Sequence, residues 1–177
     1  AHARDLPRLQ RLGIAASIQP THCTSDLELV ERWWRSRRER AYPCRSLIES
    51  GALVAFGSDA PVEPPVPSLA LHAAVTRQRP DGTPRGGFVP EQRVALDAAL
   101  TCLTENPARL AGQWPRLGRI VPGAMADLVV WNTDLHRMAP EDLHQAHPVA
   151  TVLDGEAVYR NTALDGATTG RCGPVAA

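Results

Sequence analysis

The sequence predicts an α/β fold, and two repeated units and one compositional feature carry that prediction. Arg4 to Leu12 places Leu6, Leu9 and Leu12 at helical spacing and stops at Gly13, after which Ile14-Ala15-Ala16-Ser17-Ile18-Gln19 is a short apolar strand closed by Pro20. The same order recurs from Arg45 to Ser50, a helical stretch ended by Gly51, followed by the strand Leu53 to Phe56. Two successive helix-glycine-strand units imply parallel strands. Both strands are apolar throughout rather than alternating, so both faces are covered, as in a barrel or a doubly wound sheet.

In such folds ligands gather where the strands end. The octapeptide Phe56-Gly57-Ser58-Asp59-Ala60-Pro61-Val62-Glu63 ends the second strand with a carboxylate, and Pro61, Pro64, Pro65 and Pro67 prevent the strand from continuing. Asp59 is thereby aimed out of the sheet end, toward a metal or a reacting water. The alternative is a turn aspartate that caps nearby amides. His22 follows the first strand and reaches the same end, either as a substrate contact or as a lone histidine satisfied by backbone.

The rest of the chain completes the outline. Asp26 to Arg40 reads as a helix carrying Leu27, Val30, Trp33 and Trp34, with Asp26 as its N-cap, running into the charged stretch Arg35-Ser36-Arg37-Arg38-Glu39-Arg40. Helices are expected from Leu69 to Arg77 and from Pro90 to about Cys102, with a short helix opened by Asn106 as N-cap and Pro107 at its first position. Arg77 then stands at a helix end, interacting with the dipole or binding an acidic substrate group. Beyond residue 112 the pattern becomes β: Leu117 to Gly123 as a strand and turn, Ala126 to Trp131 as a strong strand, then Val149 to Leu153 and Ala157 to Tyr159 joined at Asp154-Gly155. Asp127 reads as structural, and residues 161–177 as a poorly ordered end.

Composition excludes several functions. With 19 basic and 19 acidic residues among 177 the formal charge is zero, which leaves no global field for nucleic acid or an anionic membrane. Arginines interleaved with Trp33 and Trp34 could bind nucleic acid, but a solvated helix-to-loop surface is the plainer reading. No apolar run approaches membrane-spanning length. All 19 basic residues are arginine, so no Schiff-base, P-loop or carbamylated lysine comes from this chain. Cys23, Cys44, Cys102 and Cys172 form no C-x-x-C pair, and a reduced, cytoplasmic setting is expected. His144 and His147, near Glu141 and Asp142, have the spacing of a helical metal pair, yet Pro148 and their distance from any strand end favour a surface loop.

Three stretches together carry a family resemblance: Ser17-Ile18-Gln19-Pro20-Thr21-His22 with Asp26; Gly57-Ser58-Asp59-Ala60-Pro61-Val62; and Leu117-Gly118-Arg119-Ile120 through Pro122-Gly123-Ala124-Met125-Ala126-Asp127-Leu128-Val129-Val130. In this order they resemble the C-terminal third of amidohydrolase-superfamily metal-dependent hydrolases, in the YtcJ-like or amidohydrolase-3 branch. The resemblance implies the last strands of a (β/α)8 TIM barrel over residues 1–112 and part of a small β-sandwich over 113–160. It implies a divalent metal, zinc by expectation, and a small amide-type substrate. It also implies that Asp59 is the eighth-strand metal ligand and general base and that His2, in Ala1-His2-Ala3, is the sixth-strand ligand.

The pattern is incomplete. Among His2, His22, His72, His136, His144 and His147 no two form a His-x-His pair, and no lysine is present. A full barrel needs about 250 residues. Starting at Ala1 rather than Met, the chain reads as a C-terminal fragment, expected to be inactive alone. The competing expectation is a noncatalytic module whose open sheet edges are closed by self-association into a homo-oligomer.

Overall fold

The structure, a computed structural model, describes residues 2–161. The expected end over residues 161–177 therefore lies outside the described residues beyond Asn161. The first unit is a 3-10 turn Ala3–Asp5, helix α1 (Leu6–Arg11) and strand β1 (Ala16–Ile18); the second is α4 (Cys44–Glu49) and β2 (Val54–Phe56). Between them lie α2 (His22–Ser25), α3 (Leu27–Trp33) and a 3-10 stretch Arg35–Arg40. As the repeated grammar requires, β1 and β2 pair in parallel, with Ala16 beside Val54 and Ile18 beside Phe56. All three residues of β2 are buried, which accounts for its unbroken apolar composition.

After β2 come α5 (Pro67–Thr76), α6 (Leu96–Leu103) and α7 (Glu105–Leu110), followed by β3 (Leu128–Trp131), β4 (Pro148–Leu153) and β5 (Glu156–Arg160) in an antiparallel sheet of order β3-β4-β5. The turn at Asp154-Gly155 has φ of 49° and 83°, the positive pair that a two-residue hairpin needs. The main core joins Val54, Phe56, Leu71, Ala74, Ala99 and Cys102 to Leu135, Leu143 and Ala146, so the segment between β3 and β4 is packed on α5 and α6. A second cluster, Cys23, Val30, Ala41, Phe88 and Val89, holds the excursion that follows β1.

Several local expectations are corrected. Leu117 to Gly123 forms bends and turns rather than a strand. The reason is packing: Gly118, at φ of 83°, sits where a Cβ would lie 2.9 Å from the Thr104 carbonyl oxygen. The single helix expected from Pro90 to Cys102 is instead a 3-10 turn Pro90–Gln92 and α6, because Arg93 turns extended and the Val94 amide donates to the Ala74 carbonyl. Asn106 is not an N-cap but lies inside α7, where its side-chain amide donates to the Val54 carbonyl at 2.8 Å and seals part of the open edge of β2. Asp26 occupies the N-cap position of α3, but its carboxylate accepts from the Tyr42 hydroxyl instead of a helix amide. Trp33 ends α3 and Trp34 caps it, and both are exposed.

Arg77 departs furthest from expectation. It has a left-handed backbone at the end of α5 and is 0% exposed. Its guanidinium donates to the carbonyls of Phe88, Tyr42 and Ala41 at 2.8, 3.1 and 3.4 Å. Its side chain is turned into the core, where it ties α5 to the segment that precedes α4. Asp127 is structural as expected, accepting from the Asp154 amide at 2.8 Å and bracing the β4–β5 turn.

Candidate functional site at the strand ends

Because β1 and β2 are parallel, the segments that follow them, from Gln19 and from Gly57, leave the sheet at the same end. Asp59 has φ of 57°, a left-handed conformation uncommon for a residue with a side chain and concentrated at functional positions. Its backbone carbonyl accepts from the Val62 amide, closing a tight turn. Its exposed carboxylate makes no hydrogen bond or ion pair among the described residues, so it does not cap neighbouring amides.

His22 begins α2, and its Nε2 is buried without a hydrogen-bond partner, as are the hydroxyls of Thr21 and Ser68. A buried polar atom left unpaired costs free energy and is uncommon away from functional sites. The reading of His22 as satisfied by backbone is thus not seen at Nε2. His2 caps the first 3-10 turn through Nδ1, which accepts from the Arg4 amide at 3.4 Å. It also lines a cavity of about 320 Å³ with Trp34, Arg37 and Arg40, which places it against the excursion that follows β1.

A second cavity, about 420 Å³, is lined by Thr21, Thr24, Ser25 and Glu63 from the strand-end segments and by His72 and Arg79 from α5 and the loop beyond it. Arg79 closes one side, paired with Glu28 at 2.7 Å, and this contact holds the Glu28 carboxyl below its ordinary range. Glu63 and the unpaired hydroxyls of Thr21 and Ser68 were not singled out from the sequence. Glu63 was legible in principle, being the last residue of the Asp59 octapeptide; the hydroxyls were not, because their isolation is a matter of burial.

The structure does not gather the candidates into one group. No hydrogen bond or ion pair joins His2, His22 and Asp59, and among the described residues no set of three or more His, Cys, Asp or Glu could hold a metal ion. A zinc site needs about three protein ligands even when catalytic. The described residues therefore do not by themselves fit such a metal. His144 and His147 are no metal pair: the His144 ring packs edge-on against the buried His72 ring, with centroids 4.9 Å apart. Cys23, beside His22, is fully buried, which pushes its thiol up to about 12 and keeps it protonated at neutral pH.

In a mixed α/β chain, an unpaired carboxylate beyond the C-terminal end of a buried parallel strand stands where folds of this kind place reacting groups. Residues 1–159 match the profile of the amidohydrolase family, and the chain belongs to that family. It is 30% identical over 158 residues to the putative amidohydrolase YtcJ of Bacillus subtilis (strain 168), a match covering 89% of this chain and 30% of that protein. It is 29% identical over 157 residues to the N-substituted formamide deformylase of Arthrobacter pascens, covering 88% of this chain and 28% of that enzyme. Among solved structures, an uncharacterized metal-dependent hydrolase from Pyrococcus horikoshii OT3 superposes with a TM-score of 0.63 at 29% identity, over 71% of this chain and 26% of that one. The chain thus spans less than a third of the length of these curated relatives.

Proposed function

We propose that this chain forms the last strands of a (β/α)8 barrel over residues 1–112, and part of a β-sandwich over 113–160, in a metal-dependent amidohydrolase that cleaves a non-peptide C–N bond of a small amide, formamide or cyclic imide. The observation that carries the reading is Asp59, an unpaired carboxylate at the end of a buried parallel strand, in a chain matched to the family over residues 1–159. In this reading Asp59 is the general base: it takes a proton from the attacking water and hands it to the leaving nitrogen. His2 and Asp59 would supply two ligands to a divalent metal, zinc by expectation, with the others coming from residues outside this stretch, and the metal would supply the polarised water; His22, whose Nε2 is buried without a partner here, would contact the substrate. A reducing, cytoplasmic setting is part of the same proposal, supported by Cys23, Cys44 and Cys102, which are free and buried.

On this reading the 177-residue chain alone has no amidase activity and binds no stoichiometric zinc, measured by metal analysis and by formamide hydrolysis. In a protein where this stretch is continuous with the remaining ligands, Asp59→Asn lowers kcat by about 10²- to 10⁴-fold, the usual contribution of a general base. Zinc-dependent turnover by the isolated chain, or full activity of Asp59→Asn, overturns the proposal.

A second reading is favoured by one observation. The Val54 and Phe56 amides, on the edge of β2 away from β1, have no backbone partner among the described residues. Asn106 covers the Val54 carbonyl on this edge and leaves the two amides for another strand, so a noncatalytic module closed by self-association is the alternative. Sedimentation that shows a monomer across a wide concentration range excludes it.

A further inference from the structure

His22 stands on a helix too short to hold itself. α2 is one turn of four residues, its N-cap Thr21 supplies no side-chain hydrogen bond, and its closing bond runs from the Asp26 amide to the His22 carbonyl at 2.9 Å. A single turn orders several dihedrals for one hydrogen bond and is unstable alone, so its direction is fixed from outside. Arg79 holds its middle, with Nη2 donating to the Thr24 carbonyl at 2.9 Å. Asp26 holds its far end and is also the joint to α3, since the Val30 amide donates to the Asp26 carbonyl at 2.9 Å. The Asp26 carboxylate in turn accepts from the Tyr42 hydroxyl, 16 positions along the chain.

Tyr42 is itself held on every side. Its φ is 51°, a left-handed conformation costly for a bulky residue and free for glycine. Its carbonyl accepts from the Arg77 guanidinium at 3.1 Å and from the Cys44 amide at 2.8 Å. Its ring packs on the buried cluster of Cys23, Val30, Ala41, Phe88 and Val89, in which Cys23 belongs to α2. Strain of this kind persists where the surroundings impose it, and it gathers at functional positions. Glycine would relieve the strain but could not reach Asp26. Burial, and after it the Asp26 carboxylate, hold the phenol well above its ordinary 10.0, so the hydroxyl stays protonated and donates.

We infer that Tyr42 is a positioning residue: by holding the Asp26 carboxylate it fixes the joint between α2 and α3, and with it the His22 ring beyond the end of β1. Nε2 of His22, buried without a partner, gives the ring no anchor at that end, so the ring points where α2 points. Calling this a contribution to catalysis rests on the hydrolase reading above, in which His22 contacts the substrate; the tie itself does not.

The test is amide hydrogen exchange and imidazole NMR on the 177-residue chain. Tyr42→Phe keeps the ring and removes the hydroxyl. It is expected to lower the protection of the Asp26 amide by about 10- to 100-fold, the loss of one hydrogen bond to a charged group. The Ala99 amide, bonded to the Ala95 carbonyl in α6, keeps its protection, and the His22 ring resonances shift. Asp26→Ala matches Tyr42→Phe, whereas Asp26→Asn, which keeps an oxygen for the hydroxyl, retains most of the protection. Tyr42→Phe and Asp26→Ala together lower it no further than either alone. In a protein where this stretch is continuous with the remaining ligands, Tyr42→Phe lowers kcat/KM by about 10- to 100-fold and does nothing further in a His22→Ala background. Equal loss of protection at Asp26 and Ala99 overturns the inference, because it marks general support of the fold. So do unchanged His22 resonances in Tyr42→Phe, additive effects of Tyr42→Phe and Asp26→Ala, or loss of native circular dichroism in both single variants. Failure of the hydrolase reading would show instead in the Asp59→Asn kinetics, with the exchange results unmoved.

Discussion

Arg77 and Phe88 bond each other twice: the Phe88 amide donates to the Arg77 carbonyl, and the Arg77 Nε donates to the Phe88 carbonyl, both at 2.8 Å. The remaining guanidinium nitrogens reach Tyr42 and Ala41, so one buried side chain joins α5, the loop that brings Phe88, and the excursion carrying the Arg37 cavity. Arg77→Met removes these bonds while nearly preserving the side chain's length, and leaves the Ala41 carbonyl and the side-chain-bonded lone pair of the Phe88 carbonyl short of a donor, while the Tyr42 carbonyl keeps the Cys44 amide. The expected loss is about 2–4 kcal/mol, read from urea denaturation. Arg77→Lys recovers only part of it, because an ammonium cannot span three carbonyls. A loss below about 1 kcal/mol would show that water replaces the guanidinium.

Gly118 and Gly123 both have positive φ, 83° and 87°, but only Gly118 is crowded, with Glu105 Cα and the Thr104 carbonyl oxygen each 2.9 Å from where a Cβ would stand. Gly118→Ala is expected to cost about 3 kcal/mol, combining backbone strain with a clash against backbone. Gly123→Ala, facing open space, costs about 1 kcal/mol from strain alone. Comparing their denaturation midpoints checks this; equal losses would show that the Gly118 contact yields.

Alkaline pH weakens the fold through its buried thiols. Burial raises the Cys23 thiol from 9.0 to about 12 and the Cys102 thiol to about 11. The unfolded chain therefore releases these protons above pH 9 while the folded chain keeps them. Stability is intact below pH 9 and declines as pH rises toward the folded values, with a slope near 1.4 kcal/mol per pH unit for each fully buried thiol. Denaturation at pH 8 and pH 10 reads the slope, and Cys23→Ala should flatten it. Rapid alkylation of native Cys23 at pH 8 would contradict the burial.

Acid acts through His72. Its Nδ1 and Nε2 face the carbonyls of Pro140 and Arg79 at 3.3 and 3.2 Å, an arrangement that favours a doubly protonated ring. Burial opposes this and prevails, with the neighbouring His144 adding to it and Glu141 working the other way, so His72 titrates below its ordinary 6.5. The unfolded chain takes up a proton near pH 6.5 that the folded chain resists. Stability is thus held above that pH and falls below it. His72→Phe, which keeps a ring but cannot ionise, should show a shallower fall between pH 7 and pH 5 in thermal melts. An unchanged pH profile would show that His72 protonates freely in place.

By itself the sequence determined the local grammar and the position of a carboxylate beyond the end of β2. Gly13 and Gly51 stop helices, the two apolar runs make parallel strands, and Gly57-Ser58-Asp59 with its prolines leaves a carboxylate at a strand end. Of the two strands only β2 is buried throughout, whereas β1 leaves Ser17 exposed, against the expectation that both faces of both strands are covered. Family membership could be read for the same reason, since its motifs are short and contiguous. Only the tertiary structure decided what distant residues do. Asn106 looked like an N-cap until α7 lay against β2, and Leu117 to Gly123 looked like a strand until Gly118 met Thr104 and Glu105. Arg77 could not be read at all, because its partners lie 11 to 36 residues away. Arg37 and Arg40 differ from Arg38 only in which side chains the fold sets beside them. The physical reason is common to all four: local hydrogen bonding and hydrophobic periodicity depend on neighbours in sequence, whereas the partner of a polar side chain is chosen by which backbone groups packing leaves unpaired.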